Sequence, residues 1–163
     1  MKIWFTCKAK YGKENDEGIV KQVTEAYLVD AVSYTDAESR IYAAMEQNIA
    51  GEFAITAITK SNISEVINYE DSDYWYKCKV TYSTVDGDSE KEVKINTYFL
   101  VGAEDVKQAF ERVEDNLSSM LVPFEIPSVV KTPLVEVYPY LEEEEIPSNL
   151  TPVSELEEEE EAE

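Results

Sequence analysis

An α+β fold built by tandem duplication is predicted by three features of the sequence. Trp4-Phe5-Thr6-Cys7-Lys8-Ala9-Lys10-Tyr11 returns as Trp75-Tyr76-Lys77-Cys78-Lys79-Val80-Thr81-Tyr82, so Trp, Cys, Lys and Tyr recur at an offset of 71. The blocks behind each copy recur as well. Tyr27-Leu28-Val29-Asp30-Ala31 answers Phe99-Leu100-Val101-Gly102-Ala103 at an offset of 72, and Phe53-Ala54-Ile55 answers Phe124-Glu125-Ile126 at 71. Each copy also reads strand, strand, helix, strand when its hydrophobic period is followed. Two units are too few for a solenoid, so the expected architecture is one pseudo-symmetric domain with a mainly antiparallel sheet and both helices on one face. Residues 1–68 are the first repeat in this reading, 69–140 the second, and 141–163 an acidic disordered tail.

The opening strand sorts its side chains by alternation. Phe5, Cys7, Ala9 and Tyr11 share a core face, and Trp4, Thr6, Lys8 and Lys10 share the other. In the second copy Tyr76, Cys78, Val80 and Tyr82 face the core, with Trp75, Lys77, Lys79 and Thr81 opposite. Glycines at both ends of 12–18 mark a hairpin loop. The returning strands, near 20–31 and its counterpart, put Val23, Tyr27, Val29, Ile95, Phe99 and Val101 inward and Gln22, Thr24, Lys94, Asn96 and Tyr98 outward. A helix is expected from about Thr35, where Thr35-Asp36-Ala37-Glu38 fits a capping box. Its counterpart is expected over 104–120, with Val106, Ala109, Phe110, Val113 and Leu117 on one face. The closing segments 52–60, 63–67, 123–131 and 134–138 complete the repeats, and Pro127 and Pro133 predict edge or bent strands there. The uncovered sheet face would then present the Trp and Lys side chains.

Charge and composition narrow the function. An apolar content of 44% suits one compact core at this length. Thirty-five acidic against 14 basic residues give a net charge of −21, and the 11 Glu of residues 142–163 leave −10 for the rest. Strong acidity opposes membrane surfaces and non-specific nucleic-acid binding. Met1-Lys2-Ile3-Trp4 enters a strand with no apolar leader and no membrane span is evident, so a cytoplasmic protein is expected. Cys7 and Cys78, at equivalent core positions, read as buried reduced thiols, and two Cys with no His make no ordinary zinc site.

No catalytic apparatus is legible: there is no His, no phosphate-binding loop and no nucleophile elbow, so no enzyme and no cofactor are expected. Asp71 with Asp73, or Asp86 with Asp88 around Gly87, could offer oxygen ligands to a cation. Turn chemistry accounts for both pairs better, and no metal is expected.

Together WFTCKAKY, TEAYLVDAVSYTDAE, WYKCKV and VEVYPY resemble a domain-of-unknown-function family associated with gut Bacteroidetes and their phages, over about residues 1–140. That resemblance implies no activity. The chain also resembles, more loosely, phage single-stranded DNA-binding proteins, which combine an aromatic-basic β surface with an acidic tail. Many of those tails end in an aromatic residue, whereas this one ends Glu161-Ala162-Glu163.

The functional expectation is therefore a single-stranded nucleic-acid-binding module. Trp4 and Trp75 would stack bases, with Tyr98 beside them, and Lys8, Lys10, Lys77, Lys79 and Lys94 would meet phosphates. The tail would compete for that face or recruit replication or host proteins. The alternative is an acidic protein-interaction or inhibitor module, with its charge mimicking DNA toward a basic partner. The pattern leaves open whether pseudo-symmetry replaces a homo-oligomer or builds one.

Overall fold

A computed structural model describes residues 3–85 and 87–139. The chain runs β1 (Ile3–Glu14), β2 (Val20–Ala31), α1 (Tyr34–Asn48), β3 (Phe53–Lys60), β4 (Glu65–Ile67), β5 (Tyr74–Val85), β6 (Glu92–Ala103), α2 (Val106–Asn116), β7 (Phe124–Lys131) and β8 (Leu134–Tyr138). The α+β class and the mainly antiparallel pairing agree with the sequence reading. The tail expected over 141–163 lies outside the described residues.

Both hairpins are long and regular. β1 pairs β2 from Ile3 opposite Ala31 to Glu14 opposite Val20, and β5 pairs β6 from Tyr74 opposite Ala103 to Val85 opposite Glu92. Gly12, expected in the first loop, is inside β1, where an added Cβ would come within 2.9 Å of Val20 Cγ1. The turn itself is shorter: Asn15 Oδ1 accepts from the Glu17 and Ile19 amides, both at 2.9 Å, and Gly18 takes φ 81°.

The helix starts are duplicated in chemistry, though not where expected. Ser33, rather than Thr35, caps α1 by accepting from the Asp36 amide at 3.1 Å, and Asp36 Oδ2 reaches back to the Val32 amide. Asp105 caps α2 through the Gln108 amide at 2.7 Å, while Gln108 Oε1 accepts from the Glu104 amide. In each case a side chain satisfies an orphan amide of the first turn. α2 stops at Asn116, short of the expected 120.

Where one sheet was expected, two form, of order β3-β1-β2-β8 and β4-β6-β5-β7. The two helices consequently do not share a face. α1 packs Ala37, Ile41 and Met45 on Phe5, Cys7, Ala9 and Val29 of the first sheet. α2 packs Ala109 and Val113 on Tyr76, Cys78, Val80 and Val101 of the second. The physical reason lies in the closing strands. Each repeat's short last strand pairs in parallel with the other repeat's sheet: β4 lies along β6, and β8 along β2. Pro127 falls where the β5–β7 register shifts, on an edge strand that needs no amide from it, and Pro133 immediately precedes the edge strand β8.

The exchange brings the non-helical faces together. Leu28, Leu100 and Ile63 form a third buried cluster, with Trp4, Val66, Trp75, Tyr98, Leu134 and Val137 packed against it. The layers therefore run helix, sheet, sheet, helix, and the face expected to be uncovered is covered at its Trp end.

Burial pushes the Cys7 and Cys78 thiols up to about 11. Both should resist Ellman's reagent at pH 8 in the native protein and react fully on denaturation, since the thiolate is the reactive form. Fast native labelling of either would invert the strand-face assignment. Leu100→Ala should lower stability by about 2 to 5 kcal/mol. Because Leu100 is shared by both sheets, urea unfolding followed by fluorescence and by circular dichroism should remain one coincident transition.

Candidate nucleic-acid interface

The strand registers define what the inner faces carry. On the first sheet Thr6, Lys8 and Lys10 of β1 stand beside Leu28, Ala26 and Thr24 of β2, with Thr59, Ala57 and Ala54 of β3 on the other side. On the second sheet Lys77, Lys79, Thr81 and Ser83 of β5 stand beside Leu100, Tyr98, Asn96 and Lys94 of β6. Ser128 and Glu125 of β7 flank Lys79 and Thr81. By the same alternation these faces carry Glu125 of β7, Glu14 and Glu92 at the hairpin ends and Asp30 beside Trp4, together with Lys8, Lys10, Lys77, Lys79 and Lys94. In a chain of net charge −21, five lysines against four carboxylates make these faces far less acidic than the whole.

The lysines differ in their surroundings. Lys8, Lys10 and Lys94 are exposed and Lys79 is half-buried. Among the described residues none of these four forms an ion pair, whereas Lys13 and Lys107, outside this face, pair with Glu25 and Glu111. Lys77 is held in place. Its Nζ donates to Asn62 Oδ1 and sits 4.7 Å from the Tyr98 ring centroid, and desolvation lowers its pKa. Removal from water disfavours the ammonium form, so a phosphate brought to Lys77 would restore what burial costs it.

Trp4 and Trp75 are half-buried against the Leu28–Ile63–Leu100 cluster and do not stand clear as platforms. Their carbonyls also anchor the crossing segments. Ser61 and Thr132 donate backbone amides to Trp4 O and Trp75 O, each at 2.8 Å, and the Thr132 hydroxyl adds a 2.9 Å bond to Trp75 O. Between the sheets a cleft of about 200 Å³ is lined by Lys8, Leu28, Ile63, Lys77, Leu100 and Pro133, among others. Lys8 and Lys77 come from different repeats, so the structure brings these two to one cleft, while Lys10, Lys79 and Lys94 lie farther along the strands toward the hairpin turns.

Asn62, Ile63 and Thr132 were not singled out from the sequence. Ser61 and Thr132 do match at the offset of 71, a signal that was available. Asn62 has no such counterpart, because Pro133 takes its place. Of the acidic pairs, Asp71 is engaged with Arg112 at 3.2 Å, and Asp86 lies outside the described residues. Among the described residues no group of Cys, Asp and Glu side chains is arranged to hold a metal, and no helix is long and apolar enough to cross a membrane.

Fold and face define a duplicated, strand-exchanged α+β protein with lysines on the inner faces of its sheets. Its sequence matches the model of the DUF4494 family, a domain of unknown function, over residues 3–140, and the chain belongs to that family. No curated protein and no solved structure matches it.

Half-burial of the tryptophans has a measurable consequence. Trp4→Ala and Trp75→Ala should each lower unfolding free energy by about 2 kcal/mol, roughly half the cost of truncating a large buried aromatic. Unchanged denaturant midpoints would mean that neither ring is packed.

Proposed function

We propose that the protein binds single-stranded nucleic acid along the inner faces of its two sheets. The observation that carries this reading is the placement of charge: Lys8, Lys10, Lys79 and Lys94 stand on the inner strand faces of the two sheets with no ion-pair partner among the described residues. Phosphates would neutralise these lysines, and Lys77 would contribute from the cleft. Tyr98 and the accessible edges of Trp4 and Trp75 would add base contacts, each aromatic stack contributing about 1 to 3 kcal/mol. Trp4 and Trp75 enter this reading chiefly as the packed end of the cleft. The 11 Glu of residues 142–163 would act as a tethered competitor for the same lysines. The single-stranded DNA of phage replication, in the bacterial cytoplasm, is the ligand and setting that fit, with partners recruited through the acidic segment.

A second reading is favoured by the outer layers. Glu38 and Glu46 on α1, and Glu111, Glu114 and Asp115 on α2, are exposed. A basic protein partner would dock there without using the lysines at all.

Fluorescence anisotropy with a labelled oligo-dT separates the two. Replacing Lys8, Lys10, Lys79 and Lys94 by Gln should weaken binding uniformly across sequences. It should also flatten the plot of log affinity against log salt by about 0.7 per lysine that meets a phosphate. Deleting residues 142–163 should tighten binding at low salt, with the difference vanishing as salt rises. If the shortened chain binds no oligonucleotide at low salt, the nucleic-acid reading fails and the acidic interaction surface takes its place.

A further inference from the structure

The cleft between the sheets lies where equivalent residues of the two repeats meet. Leu28 corresponds to Leu100 at the offset of 72, and Ser61 to Thr132 and Ile63 to Leu134 at 71. All six line this one cleft of about 200 Å³. Its remaining walls break the symmetry. Lys8 and Ala26, which stand opposite each other on β1 and β2, line the cleft, whereas their counterparts Lys79 and Tyr98 on β5 and β6 do not. The Tyr98 ring packs against the shared cluster and lies beside Lys77, while alanine at position 26 brings no ring to the first sheet. A hollow is left on the Lys8 side.

The chemistry of the lining is selective. The Thr132 hydroxyl is engaged with Trp75 O and the Leu134 amide, and Ser61 Oγ accepts from the Ile63 amide. The charged groups are Lys8 and Lys77, one from each repeat, and no carboxylate borders the cleft, although acidic residues outnumber basic ones by 35 to 14 in the chain. Among the described residues neither lysine forms an ion pair. Lys77 Nζ has a neutral amide oxygen and an aromatic ring for company, and burial lowers its pKa. An ammonium group so placed lacks a counter-charge. A nucleobase would bury ring N–H and carbonyl groups with few partners here, at a cost in free energy. An apolar body with one anionic end meets no such penalty. Size limits that body as well, because an apolar cavity of about 150 Å³ takes a benzene ring.

We propose that the cleft is a binding site for a small apolar carboxylic acid, its ring-sized body between Leu28, Ile63, Leu100 and Leu134 and its carboxylate held by Lys8 and Lys77. Each repeat supplies one lysine and half of the apolar wall, so neither repeat forms the site alone. The inference stands whether or not the inner faces bind nucleic acid.

Titration of the full chain, labelled with nitrogen-15, with sodium benzoate at constant ionic strength tests it. The amides of Leu28, Ile63, Leu100 and Leu134 should shift saturably, together with those of Lys8 and Lys77. Acetate carries the charge without the ring and benzamide the ring without the charge, and each should bind at least about tenfold more weakly. Lys8→Met and Lys77→Met keep an unbranched apolar stem, and each should weaken benzoate by about tenfold or more. Ala26→Tyr, which copies position 98, should abolish binding by filling the hollow. The absence of saturable shifts at the cleft amides would overturn the proposal, as would acetate or benzamide matching benzoate, or undiminished binding when both lysines are replaced. Thymidine binding more tightly than benzoate would overturn it too, because the cleft would then be a base pocket.

Discussion

Backbone pairing across the repeat boundary is the constraint on which the rest of this structure depends. A sheet of three strands leaves β2 and β6 with one unpaired edge each, and unpaired amides and carbonyls along a buried edge are costly. β8 fills the first edge and β4 the second, each in parallel register. Because the exchange is reciprocal, neither repeat completes its sheet alone. The connections that make it possible cross from one sheet to the other, and they bring Ile63 into the cluster of Leu28 and Leu100 and pack Leu134 against it. The third hydrophobic cluster is thus a consequence of strand exchange, and it turns two duplicated units into one body.

The same arrangement shapes the electrostatics. Alternation along β1 and β5 puts Cys and aromatic residues under the helices and lysines on the other face, and strand exchange brings those second faces toward each other. Near the shared cluster a lysine must find neutral partners, as Lys77 does in Asn62 and Tyr98. Farther along the hairpins the lysines keep access to solvent. Exposed carboxylates occupy the helical layers instead.

The two repeats have diverged least in their capping and core positions and most in the segments that close them. Ser33 and Asp105 cap alike, and Asp36 and Gln108 both reach back to the amide that precedes their cap. Gly102 and Asp30, by contrast, occupy equivalent positions with opposite demands. Gly102 admits the linker between the repeats at the closest range a backbone permits, and Asp30 is a buried carboxylate. The linker can lie close on the second sheet for this reason.

The sequence by itself determined the duplication, the two long hairpins, the helix positions to within a few residues and the sorting of side chains between strand faces. These are properties of periodicity and of neighbours close along the chain, and they repeat at a readable offset. The lysines of the candidate site were legible for that reason. Tertiary structure alone decided which sheet each closing strand joins, because Glu65-Val66-Ile67 carries no mark of its partner and pairs with β6 only where a free edge meets it. That choice split the expected single sheet, separated the helices, half-buried Trp4 and Trp75, and set Asn62 against Lys77. Contacts between residues distant in sequence follow from how edges and faces meet in space, and alternation specifies a face without specifying what will cover it.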